Sequence, residues 1–384
     1  MFSLNDLPNE LLDHVCSFVS AARDDDHGDA GDDDGRFPSV QNLRDLPDHN
    51  ITASKSFPLK NLSRVSSRWL AATRPRLFCH ARYELRDQDR FLAFCRQHCL
   101  TRHVRTVVVS VRSIFRGSER DLWWSDLFAV LDPDSVTVVA PPYMFADMAR
   151  CRFEDTHAWA FHMPLQTMHF RQLKSRALAD DGKDTTAENE GTNSDNFFTA
   201  RPWTEILFNE GSFLRAYSTY EYYLLRAPSV MVDWGSVEPL QSPVRELPYP
   251  ASAITRLTSF CYTAIFPFYT HTNLVLKVVR NMTSLRHLEM QLAPNPGSSV
   301  FEEEQQTGSL NPNDPWMELD TSYQLLAHSV RYLGVQGKLT EFLTHDYRLD
   351  ALREILSQEL ARRLGAKWDH DGNGLWRRRG TGDT

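Results

Sequence analysis

The chain has 384 residues, 41% of them hydrophobic and 24% charged, which is enough apolar material for a large core and excludes disorder throughout. A formal net charge of -8 disfavours nucleic acid, which proteins approach with a basic face, and no run nears the roughly 18 apolar residues of a membrane helix. Six scattered cysteines make no disulfide framework, and Met1–Asp6 lacks the basic and apolar regions of a signal peptide, so the expected compartment is cytoplasm, nucleus or both.

The first predicted element is a helix opened by Leu7-Pro8-Asn9-Glu10-Leu11-Leu12. Pro8 suits a first turn because its missing N–H needs no partner there, and Glu10 sits where the helix dipole favours an anion. Apolar residues at Leu7, Leu11, Leu12, Val15, Cys16, Phe18 and Val19 cover more than one face, which implies a partner besides the helix's own core. Residues 20–57 then hold Asp24-Asp25-Asp26, Asp32-Asp33-Asp34 and several glycines, a composition that predicts a solvated, mobile excursion. Its one apolar patch, Val40 to Pro47, is placed to pack on the helical bundle. A second helical pattern follows in Leu59, Leu62, Val65 and Trp69, with Ser66 positioned to cap a new helix. Arg74-Pro75 is expected to break that helix and return Leu77 and Phe78 to the bundle.

In their order, Leu-Pro-x-Glu-Leu-Leu, Ser-Phe-Val, Leu-x-x-Leu, Val-Ser-x-x-Trp and Leu-Phe resemble the F-box, the helical module that docks a chain onto the Skp1 adaptor of a cullin-type ubiquitin ligase. The resemblance covers residues 1–80 and departs from the family in the long insert at 21–57, where members use about ten residues; stretching the loop costs only about 1.2 kcal/mol. It implies Skp1 contacts at Leu7, Pro8, Leu11, Leu12, Val15, Leu59, Leu62 and Val65, with Phe18, Trp69, Leu77 and Phe78 holding the bundle together.

From His80 onward a loose unit recurs, an amphipathic helix, a turn and a brief apolar strand. The clearest strand is Leu285 to Leu292, with weaker copies at Val104 to Val111, Val136 to Ala140, Leu165 to Phe170, Leu257 to Tyr262 and Val330 to Val335. Spacing of about 30 residues lies just above that of leucine-rich repeats. Polar stretches at 179–196 and 294–315 read as mobile insertions. The predicted fold class is therefore α/β: an N-terminal helical F-box followed by an irregular leucine-rich-repeat-like α/β solenoid over 81–379, its strands parallel and covered by helices on one side. Such a body resembles the substrate-binding half of leucine-rich F-box proteins, many of them fungal. A compact α/β domain without true repeats is the competing reading. Near the C-terminus, Leu349, Leu352, Ile355, Leu356, Leu360 and Leu364 form a helical stripe ended by Gly365, and a hairpin around Asp369–Gly374 is expected to close the open end.

Chemistry is sparse. Asp369-x-Asp371-x-Asn373-Gly374 mimics half of a calcium loop, but its twelfth position is Gly380 and three arginines crowd it, so a turn is expected and no metal. Cys95, His98, Cys99 and His103 lack a second ligand pair. Without a nucleophile elbow, phosphate loop or zincin helix, no enzyme and no cofactor are expected. The aromatic crowd Trp203, Phe208, Phe213, Tyr217, Tyr220, Tyr222 and Tyr223 is either core filler or a ligand surface. The F-box resemblance thus implies a non-catalytic receptor that binds Skp1, and through it cullin, and presents an unidentified protein for ubiquitin-dependent degradation, with neither nucleic acid nor membrane as partner. The alternative is a scaffold that holds Skp1 without directing degradation; a partner's half-life, altered or not by deleting the chain, separates the two.

Overall fold

Short apolar segments give strands, and in this computed structural model ten of them, among the described residues, join into a single sheet whose central strands are buried on both faces. The structure describes residues 7–21, 42–52, 58–112, 122–151, 153, 160–161, 165–173, 196–234, 251–306 and 310–379. The strands are β1 (His80–Glu84), β2 (Thr106–Ser110), β3 (Ser135–Ala140), β4 (Gln166–Arg171), β5 (Glu205–Ser212), β6 (Ser259–Ile265), β7 (His287–Gln291), β8 (Glu341–Thr344), β9 (Trp368–His370) and β10 (Leu375–Arg378). Their spatial order is β1-β2-β3-β4-β5-β6-β7-β8-β10-β9, so each of the first eight strands lies beside its neighbour in sequence.

Register explains the core. Ala81, Val107, Val136, Phe170, Ile206, Phe260, Leu288, Phe342 and Trp376 pair in one continuous row across nine strands, and every one is buried. Helices cover this face. They are α4 (Gln88–Gln97), α5 (Trp123–Val130), α6 (Pro142–Ala149), α9 (Tyr269–Asn281), α11 (Asp314–Val335) and α12 (Asp350–Leu364), preceded in the chain by α1 (Asn9–Ala21), α2 (Pro58–Leu62) and α3 (Ser67–Leu77), with α7 (Tyr220–Leu225), α8 (Ala251–Ile254) and α10 (Val300–Gln306) between. The protein is a mixed α/β structure built on a mostly parallel sheet.

Parallel stacking fails at β4, which runs antiparallel to both β3 and β5. Ala140, the last residue of β3, pairs with Gln166, the first of β4, so the connection carrying α6 returns to the edge it left. Residues 196–203 then fill the helix layer beneath the reversed strand. Phe197 N–H donates to the Met148 carbonyl of α6 at 2.9 Å, and the Phe197 ring stacks on Trp203 at 5.6 Å.

Several expectations change here. Val330–Val335 is not a strand but the end of α11, and the strand of that unit is β8. The stretch 294–315, read as a mobile insertion, carries α10, with Val300, Glu304 and Leu310 buried. The insertion read at 179–196 lies outside the described residues, apart from Asn196, which is buried and caps the aromatic segment through Phe198 N–H at 2.8 Å. Pro75 does not break its helix: α3 runs through it to Leu77.

The C-terminal stripe forms α12 as expected, ended by Gly365 at φ 71°, though Ile355 points to solvent. The hairpin of β9 and β10 adds antiparallel to β8 and ends the sheet. Its turn carboxylates serve the backbone and a neighbour: Asp371 Oδ1 accepts from Asn373 N at 2.7 Å and Leu375 N at 3.1 Å, and Asp369 pairs with Arg379. Gly374 is irreplaceable at this closure, because at φ 93° an added Cβ would meet the Thr344 carbonyl oxygen at 2.5 Å. Gly374→Ala is expected to lower stability by about 2–4 kcal/mol, read as a fall in the guanidinium midpoint, since left-handed strain and a backbone clash add. An unchanged midpoint would contradict the closure.

Candidate functional site

The first three helices form a separate small core. Leu12 and Cys16 of α1, Leu59 of α2 and Trp69 of α3 are sealed together, ringed by Leu7, Val15, Val19, Leu62, Ala72 and Leu77. Ser66 caps α3 as the sequence suggests, its hydroxyl accepting from Trp69 N at 3.3 Å. Arg76 bolts α3 to α1 through Asp13, whose carboxyl is held below the usual range by the hydrogen bond from that guanidinium, and through Ser17 Oγ at 2.7 Å. Arg68 donates to the Leu7 carbonyl at 2.5 Å.

This core fixes the rotation of α1. Positions 12, 16 and 19 turn inward, so Leu11 and Phe18, seven residues apart, share a flanking stripe about 110° round the helix and are 50% and 74% exposed. Val65, in the turn between α2 and α3, is 61% exposed, and Pro8 is exposed too. Of the residues the F-box resemblance assigns to Skp1, then, Pro8, Leu11 and Val65 lie outside, Leu7, Val15 and Leu62 are half-buried, and Leu12 and Leu59 are enclosed. Phe18, expected in the bundle, is its most exposed large apolar residue. Phe78 packs on the sheet core instead of the bundle.

A second site lies on the sheet face that the helices leave uncovered. Residues 42–52, within the stretch read as a solvated excursion, form two 3₁₀ turns, Asn42–Arg44 and His49–Thr52, laid across that face rather than on the helical bundle. Leu43 is buried on Leu207 and Cys261, with Ile51 beside them. Asn209 Nδ2 donates to the carbonyls of Leu43 at 3.0 Å and Asp45 at 2.8 Å. Arg82 donates to the Ile51 carbonyl at 3.1 Å, and Thr52 meets Ser110 at 3.1 Å, so the strap reaches from β7 to β1.

Its anchor is Arg44, buried between Cys261 and Glu289 and paired with the Glu289 carboxylate. Glu289 also meets His345 at 2.8 Å and His287 at 2.7 Å; His287 reaches on to Glu341, which pairs with Arg377 at 3.0 Å. Burial alone would raise the Glu289 carboxyl, but hydrogen bonds from the two histidines and the Arg44 charge hold it far below the carboxylate range. The hydrogen bond to Glu289 raises His287 despite burial, whereas burial dominates at His345 and lowers it. Burial pushes the Cys261 thiol up to about 12.

Glu210 and Asp346 are among the polar groups enclosed on the helix-covered side. Glu210 accepts from Tyr262 Oη at 2.5 Å and Ser229 Oγ at 2.6 Å and meets His271 Nε2 at 2.9 Å, all of them buried. Asp346 accepts from Leu292 N at 2.7 Å, Ala293 N at 3.0 Å and Tyr323, and burial raises its carboxyl to about 6. Most of the aromatic crowd is core: Trp203, Phe208, Phe213, Tyr217 and Tyr223 are buried, and Tyr222 is 38% exposed. Cys95 faces the core while Cys99 is exposed, so the two thiols diverge. Among the described residues no cluster of metal-ligating side chains occurs, and no helix is long and apolar enough to cross a membrane.

No family model matches the chain, and neither does any curated protein or solved structure.

Proposed function

We propose that the chain is the substrate receptor of a Skp1–cullin–F-box ubiquitin ligase, its first three helices acting as the F-box and its sheet domain, an irregular leucine-rich-repeat-like solenoid, holding the target. The observation that carries this reading is the exposed apolar stripe of Leu11 and Phe18 on the flank of α1 beside its buried face. A helix with one apolar face buried and a second left in water is built for an external partner. The sequential strand order supports the solenoid reading, with β4 as its irregular unit. Rate enhancement needs no acid, base or nucleophile here: holding a target near the charged ubiquitin carrier raises effective concentration.

Burying Leu11 and Phe18 contributes about 1.5–3 kcal/mol each. Leu11→Asp with Phe18→Asp is accordingly expected to weaken Skp1 capture on the order of 100-fold or more while leaving thermal unfolding unchanged. The measurement is co-purification of the full chain with Skp1, followed by titration. Retention of Skp1 by the folded double variant, or failure of the intact chain to capture it, refutes the docking.

A further inference from the structure

We propose that residues 42–52 are an internal stand-in for an external ligand: the uncovered sheet face takes a short peptide that presents an adjacent apolar residue and arginine from a 3₁₀ turn, and the strap must leave for that peptide to bind. The inference rests on reading the sheet domain as a target holder, but it is tested without the adaptor.

The strap supplies the chemistry of the ligand. An apolar side chain at Leu43 sits on Leu207 and Cys261, a guanidinium at Arg44 meets a carboxylate held ionised by two histidines, and Asn209 reads two backbone carbonyls. The 3₁₀ turn lets Leu43 and Arg44 both reach the sheet face, which adjacent residues of an extended strand cannot do. A pre-ionised Glu289 buried to 16% side-chain exposure is costly unless a cation covers it, so the pocket favours arginine over any neutral residue.

The strap also fits imperfectly. Asn209, Thr263 and Gln291 are register neighbours on this face. Asn209 is satisfied by the strap, yet the Thr263 hydroxyl and the Gln291 side-chain carbonyl are buried and have no hydrogen-bond partner among the described residues. Burying such groups unpaired costs free energy, which a peptide that continues along the row recovers. Among the described residues the strap's backbone-to-backbone bonds are Asp45 N–H to the Asn42 carbonyl and Ile51 N–H to the Asp48 carbonyl, both 3.3 Å, and its carbonyls otherwise accept from the side chains of Asn209 and Arg82, not from a strand edge. Nothing in the sheet's ladder has to break for it to lift. While it is seated, the apparent affinity of an external peptide falls by the fraction of chains whose face is open.

The experiment uses the full chain and a fluorescein-labelled peptide of the sequence from Asn42 to Thr52. Leu43→Asp with Arg44→Glu unseats the strap and is expected to bind the peptide at least tenfold more tightly than the intact chain; adding Glu289→Gln, which removes the carboxylate without rebuilding the ion pair, is expected to abolish that gain. Equal binding by the intact and unseated chains, or a gain indifferent to Glu289, overturns the proposal. Should the unseated variant not fold, thiol alkylation of the intact chain decides, because Cys261 lies under the strap and Cys95 lies in the main core. Modification of Cys261 at least tenfold faster than Cys95, slowed by added peptide, supports strap opening; equal rates for the two thiols show that it never opens by itself and overturn the proposal. Skp1 capture, measured on the same variants, is expected to be unaffected, so a failure of this inference is distinguishable from a failure of the adaptor reading.

Discussion

Glu210→Ala is expected to lower unfolding stability by about 3–5 kcal/mol, because removing one member of a buried polar cluster strands the others without partners. The carboxylate is fully enclosed and binds Tyr262, Ser229 and His271 at 2.5, 2.6 and 2.9 Å. Those three come from β6, from the 3₁₀ turn Val230–Asp233 through its capping residue Ser229, and from α9, so one side chain ties strand, turn and helix together. Its place is set by an irregularity in β5: register shifts between Asn209 and Ser212, with Gly211 at φ 80° taking up the extra residue. Glu210→Gln, which keeps an acceptor, is expected to cost about 1–3 kcal/mol. Urea titration of both variants checks the order. A loss under about 1 kcal/mol for the alanine variant would show that the cluster contributes packing alone.

The parts of this fold legible in sequence are those whose burial is local. β2, β3, β4 and β7 fall where short apolar runs between turn residues place them, and α12 and its Gly365 end follow from leucine spacing. Val330–Val335 misleads because six residues of apolar alternation suit a strand and a helix end equally; the longer window Leu326, Ala327, Val330 and Leu333, buried at spacings of three and four, belongs to α11. The reversed direction of β4 leaves no mark in an alternating pattern, which reads the same both ways. β5, Glu205–Ser212, hides among aromatics that suit core and ligand surface alike in sequence and are mainly core.

The strap was invisible for a different reason. Acidic runs and glycines dominate the composition around it, and composition decides whether a stretch can order itself, not whether a distant surface orders it. Arg44 and Glu289 are 245 positions apart, and their pairing exists only once the sheet has formed. The apolar patch at Val40–Pro47 is the one signal the sequence carries, and its described part, residues 42–47, packs on the sheet instead of the helical bundle. On α1 the signal was stronger. Apolar residues on two faces implied both a core and a partner, but the phase that separates Leu11 from Leu12 came from Trp69 and Leu59, which choose the face to be sealed.

That phase can be tested with one neighbouring pair. Leu12→Asp is expected to unfold the three-helix module, since a carboxylate placed among Cys16, Leu59 and Trp69 has no partner in a core of this size and costs more than about 4 kcal/mol. Leu11→Asp, one residue earlier and half exposed, is expected to shift stability by no more than about 0.5 kcal/mol. Both changes should reduce Skp1 capture, the first by destroying the docking module and the second by spoiling its surface. Limited proteolysis separates them: the Leu12 variant should be cleaved rapidly before β1 while the sheet domain, whose core shares no buried residue with the module, keeps its own unfolding transition. The Leu11 variant should resist cleavage like the intact chain. If the two residues exchanged these behaviours, α1 would be rotated by about 100° from its position here, and the exposed stripe offered to an adaptor would be the wrong one.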